Sequence, residues 1–121
     1  MRVSRAAFYR LVERAVGSLP ERFRAYLDNV VIAVRQEPDP EMLEELGVEE
    51  LLGVYLGTPL TERRLDDPFL LPDQILLFRG PLLRMCADAA ELKEQIRITV
   101  VHEVGHFFGL SEEEIVAVLG E

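Results

Sequence analysis

The sequence predicts a single α/β (α+β) domain over residues 1–121, with a small sheet of about three or four strands packed on one long helix and joined by N-terminal helices. Three observations predict it. Val30-Val31-Ile32-Ala33-Val34 is a β-branched run that suits a pleated, buried surface. Phe8, Leu11, Val12, Ala15 and Leu19 recur at helical spacing near the start of the chain. Residues 89 to 108 read as one long helix whose second half, with Ile98-Thr99-Val100-Val101 before the histidines and Phe107-Phe108 after them, is apolar on every side, as in a buried helix. At 121 residues the chain is long enough for one core, and 49% apolar with 29% charged residues are globular values.

Each element has its own signal. Ser4 caps a helix over residues 4 to 18, which Gly17 to Pro20 breaks. Pro20 opens a short second helix to about Leu27, with Phe23, Tyr26 and Leu27 facing the core. The run from Val30 to Val34 predicts an interior strand, ended by Gln36 to Pro40. Glu41 to Leu46 predicts one or two helical turns stopped by Gly47. Residues 52 to 57 predict a second strand, and Thr58 to Pro72, with three prolines, an irregular loop that could flank a cleft. Gln74 to Arg79 is a third strand ended by Gly80-Pro81, and Pro81 to Ala87 a short helix. Asp88 caps the long helix, with Glu91 placed for a capping box. Gly105 inside that helix costs about 1 kcal/mol relative to alanine, which a close approach there would explain. Ser111 to Leu119 forms the last helix.

Charge and cysteine content narrow the function. With 22 acids against 13 bases, the net charge is −9, which argues against nucleic acid or an anionic membrane as partner. The acids at 41, 44, 45, 49 and 50 read as a solvated face. Cys86 is alone, so no intrachain disulfide forms, and a small buried core residue is its expected role. No run reaches transmembrane length, and Arg10, Glu13 and Arg14 interrupt any signal-peptide core. A cytoplasmic, soluble protein is expected.

The chemistry lies in His102-Glu103-Val104-Gly105-His106. H-E-x-x-H on a helix presents two zinc-binding imidazoles and a glutamate general base. Residues four apart on a 3.6-residue turn differ by about 40° around the axis, so both imidazoles can reach one ion. Glu103 stands at the edge of that face, able to meet a water on the ion. The plain alternative is a pair of core histidines bonded to backbone or carboxylates. Both histidines of the chain fall in the motif, which favours zinc.

Catalytic zinc usually has a third protein ligand and one open position. Gly109 suits a helix end that tolerates positive φ, and the turn would bring Ser111 or Glu112 back toward the histidines. Glu112 occupies the place of the last histidine in the elongated metzincin pattern H-E-x-x-H-x-x-G-x-x-H. Ser111 and Glu114 also spell a capping box, with Glu112 then an ordinary first-turn acid, and the two readings are compatible.

Residues 74 to 112 (QILLFRGPLLRM, then the helix ending HEVGHFFGLSEEE) closely resemble a family of small bacterial zincin-like proteins, predicted zinc metallopeptidases with a minimal metzincin-type motif. Most of the chain resembles them loosely. The family commonly has Asp where this chain has Glu112, and Met1, Met42 and Met85 all precede the motif, so there is no methionine turn after it. The resemblance implies a zincin-type fold, with His102 and His106 as ligands and Glu103 as base. It also implies that residues 74 to 79 form an edge strand that pairs with extended peptide, since edge strands offer unpaired backbone groups.

The expected function is zinc-dependent peptide hydrolysis, with Glu103 catalytic, His102, His106 and Glu112 holding Zn2+, and a peptide or protein as substrate. Tyr55, Arg79 and Arg97 qualify as oxyanion donors by residue type alone. The rivals are a zinc-binding interaction module with little hydrolytic activity and a hydrolase of non-peptide amides. Oligomeric state is left open.

Overall fold

The computed structural model describes residues 1–57 and 72–121. Ser4 caps α1 (Arg5–Gly17) by accepting a 3.1 Å hydrogen bond from the Ala7 amide. Phe8, Val12, Ala15 and Leu19 are buried, as their spacing predicts. After Pro20 come α2 (Glu21–Arg24) and a 3-10 turn (Ala25–Leu27). Phe23 enters the core and Leu27 packs against it. Tyr26, expected inside, is exposed. In the tightened turn it stands one turn beyond Phe23, their rings 5.7 Å apart, and so overhangs the core edge.

The sheet contains β1 (Val30–Arg35), β2 (Gly53–Leu56) and β3 (Asp73–Phe78), in the order β1-β3-β2. β1 runs parallel to β3, from Val30 opposite Asp73 to Arg35 opposite Phe78, and β2 runs antiparallel, with Tyr55 opposite Ile75. Two expectations are thereby reversed. The strand expected inside, β1, lies at an edge among the described residues, with Val31 46% exposed. The strand expected at an edge, β3, is central. Ile75 to Phe78 are all buried, the non-alternating pattern of a strand covered on both faces. β-Branched composition reports fit to a pleated surface, not position within the sheet.

α3 (Pro40–Leu46) begins with proline at its first position and stops at Gly47, whose φ of +66° is left-handed. The irregular loop predicted over 58–72 lies, Pro72 apart, outside the described residues. β3 passes directly into α4 (Arg79–Met85), so Gly80-Pro81 sits in a first helical turn instead of ending the strand. A first turn leaves its amides unpaired, so proline loses nothing there. Cys86 follows as a buried, free core residue, and burial pushes its thiol pKa up.

α5 (Ala89–Phe107) is the spine, packed against α1, β2, β3, α4 and α6 (Glu112–Leu119). Asp88 accepts from the Glu91 amide at 2.8 Å, and Glu91 reaches back one residue beyond the cap, to the Ala87 amide at 3.1 Å. Leu92, Ile96, Val100, Val101 and Val104 are fully buried. Each such side chain contributes roughly 1.5–3 kcal/mol of burial. The helix overshoots the core, and the expectation of burial fails for Phe107 and Phe108, which are 50% and 42% exposed. None of the described helices is long and apolar enough to cross a membrane.

Candidate metal centre

The end of α5 is built to return the chain toward His106. Gly109, at φ +79°, donates to the His106 carbonyl at 3.1 Å, and Leu110 donates to the Gly105 carbonyl at 2.8 Å. This is the paired-bond ending that a left-handed glycine permits. Ser111 then starts α6 with a full capping box, its hydroxyl taking the Glu114 amide and the Glu114 carboxylate taking the Ser111 amide, both at 3.1 Å. Glu112 is thereby the first residue of α6, and its Oε1 lies 2.7 Å from His106 Nε2. Cap and approach to the histidine occur together, as the sequence allows.

Nitrogens of His102 and His106 and a carboxylate oxygen of Glu112 all lie within 4.8 Å of one another. His102 is half-buried, whereas His106 and Glu112 are exposed, so the group opens to solvent. Two imidazoles and one carboxylate form a donor set that suits zinc, whose bonds to such atoms measure about 2.0–2.2 Å.

Glu103 stands beside this group, half-buried. Burial raises its carboxyl pKa above the ordinary value, and His106 together with a hydrogen bond from the Tyr55 backbone pulls the other way. The Tyr55 amide is available because of strand alternation. Leu52 turns its carbonyl toward β3, accepting from Phe78 at 2.9 Å, so residues 53 and 55 turn their backbone groups outward. Among the described residues β2, not β3, is therefore the edge strand beside the histidine helix. A groove of about 390 Å³ lies between Val54, Tyr55 and Leu56 on one side and α3 on the other, where Glu41 and Glu45 join Asp39 in its lining. Successive strand side chains point to opposite faces, so a groove touching three in a row follows the strand edge.

The side chains of all three oxyanion donors expected by residue type are directed elsewhere. Arg79 donates to Gln36 and to the Val3 carbonyl. Arg97 is buried and donates to the carbonyls of Leu119 at 2.8 Å and Glu121 at 3.1 Å. The Tyr55 hydroxyl donates to buried Asp73 at 2.7 Å, and its backbone amide is what meets Glu103.

Sequence reasoning missed Tyr55 as a neighbour of Glu103. The available signal was the pair of flanking glycines, since glycine in a strand marks close approach. A β-carbon on Gly53 would lie 2.8 Å from Thr99 of α5, and one on Gly57 would lie 2.7 Å from the Phe107 ring.

Comparison with known proteins fits this geometry. A family model described as a zincin-like metallopeptidase matches residues 27–120. The solved structure of a conserved hypothetical protein from Thermus thermophilus is similar, with 28% identity and a TM-score of 0.58 over 87% of this chain and 94% of that one. No curated protein matches.

Proposed function

Because the chain belongs to the zincin-like metallopeptidase family, we propose that it is a zinc-dependent peptidase in which His102, His106 and Glu112 hold the ion and Glu103 is the general base. The observation that carries the reading is the three-donor group, open to solvent, with a half-buried carboxylate next to it. A structural zinc site is closed by four ligands and needs no base; among the described residues three donors come together, the number that leaves a position for water.

When bound, zinc lowers the pKa of a water to about 7 and polarises a carbonyl. Glu103 would accept a proton from a water at the open position and would pass it to the leaving amine. Among the described residues β2 is an outer strand beside the histidine helix, a place along which an extended main chain can lie, and such binding takes peptide without selecting its sequence. On that ground the substrate class is peptide in preference to a small non-peptide amide.

Zinc per chain tests the reading. Protein purified without added metal and reconstituted at neutral pH should hold one zinc. His102→Ala and His106→Ala should lose it, Glu112→Ala should bind it more weakly, and Glu103→Ala should keep it while failing to cleave a peptide library. Absence of zinc from the wild type would sink the proposal. Zinc held with undiminished affinity by Glu112→Ala would move the third ligand elsewhere.

A further inference from the structure

Next to Glu103 lies a surface that packing of the core does not explain. The rings of Tyr55 and Phe107 stack with centroids 4.0 Å apart and planes 21° from parallel. Phe108 meets Phe107 edge-on at 5.2 Å, and Tyr26 closes the row 5.0 Å from Phe108. Phe107, Phe108 and Tyr26 are 50%, 42% and 37% exposed. α5 is already anchored by Leu92, Ile96, Val100, Val101 and Val104, so the two phenylalanines at its end add little to its attachment. Gly57 leaves room for the Phe107 ring, since a β-carbon there would stand 2.7 Å from it.

We propose that this aromatic ridge is the specificity surface of the peptidase, receiving a large apolar side chain of the peptide beside the bond presented to Glu103. The assignment rests on the peptidase reading above and deepens it. Tyr55 supplies the link: its amide bonds the Glu103 carboxylate while its ring forms the ridge, so a single residue joins the two. Phe107 and Phe108 directly follow His106 in the chain. A main chain lying along β2 at Tyr55 would pass beside the Tyr55–Phe107 stack. The ring faces carry no charge, so an apolar guest gains burial against them. Each ring is braced by another, so little ordering is needed on binding.

Two zinc-directed probes read the ridge without any known substrate: acetohydroxamate, and 3-phenylpropanohydroxamate, which adds a phenyl group. Their dissociation constants for the zinc-loaded protein would be measured by calorimetry. The phenyl probe should bind about tenfold more tightly, a gain consistent with burying one ring. Phe107→Ala and Phe108→Ala should cut that ratio to about threefold or less, and Phe108→Leu, which keeps apolar bulk, should restore part of it. Zinc content and thermal melting verify that each variant is folded and loaded. Equal affinities in the wild type, or an unchanged ratio in both alanine variants, would overturn this assignment alone. A wild type that takes up no zinc would overturn the peptidase reading and this assignment with it. A dimer in sedimentation velocity that Phe108→Ala dissociates would give the ridge to a second copy of the chain and overturn the assignment.

Discussion

Ile115 fills the space that a β-carbon on Gly105 would need, its Cγ1 only 3.0 Å from that position. α6 thus presses most closely on α5 one residue before His106 and three residues after Glu112. The cost of a glycine inside a helix, about 1 kcal/mol relative to alanine, is offset by this approach. The contact holds the first turn of α6 over the histidine helix, where Glu112 meets His106 at 2.7 Å.

Gly105→Val should therefore push α6 away. Overpacking of this kind costs about 1–3 kcal/mol, read as a lower urea midpoint with unchanged slope. Zinc affinity should fall with it, because Glu112 moves with its helix. Ile115→Ala in the same chain should recover part of the zinc affinity; no recovery would mean that Ile115 does not transmit the effect.

Glu103 makes stability depend on pH. Its folded pKa is raised, so the native chain holds this proton more firmly than the unfolded chain does. Stability from the group is complete below the unfolded pKa and is lost as pH rises through the folded one. Metal-free Glu103→Gln should melt higher than wild type at neutral pH, the gap closing as pH falls below about 4, the ordinary carboxylate value. Melting curves across that range check the sign, and a glutamine variant that melts lower at neutral pH would contradict it.

Arg97 ties α5 to the far end of α6 through the Leu119 and Glu121 carbonyls. Arg97→Met keeps the bulk and leaves those carbonyls without this donor, a loss of about 1–3 kcal/mol. Amide exchange in α6 should accelerate more than in β3, whose central position leaves it protected by the sheet. Uniform acceleration would show instead that the whole fold had loosened.

Gly53→Ala should separate β2 from α5. The new carbon would lie 2.8 Å from Thr99 Cγ2 and 2.9 Å from the Leu76 carbonyl oxygen, and the second is backbone that cannot swing aside. The expected loss is about 1–3 kcal/mol, with the Tyr55 amide resonance shifting as its bond to Glu103 lengthens. An unchanged Tyr55 resonance would show that strain at Gly53 does not reach the site.

Much of the molecule was legible in the chain because its signals are local. Ser4, Asp88 and Ser111 announce helix starts with their own side chains, and Gly47 and Gly109 announce helix ends by tolerating positive φ. His102, His106 and Glu112 could be grouped in advance because helical period and one glycine turn set their spacing within eleven residues. The strand order could not be read this way. β1 and β3 are both apolar runs, and which of them is central depends on what covers each face and edge. The outward turn of Tyr26, Phe107 and Phe108 was equally hidden, because apolar character does not say where a helix outruns its core. Local chemistry thus determined the helices, their caps and the spacing of the candidate metal ligands. Tertiary packing alone decided that β2 is the strand beside Glu103 and that an aromatic ridge stands open next to it, since both depend on contacts between residues far apart in the chain.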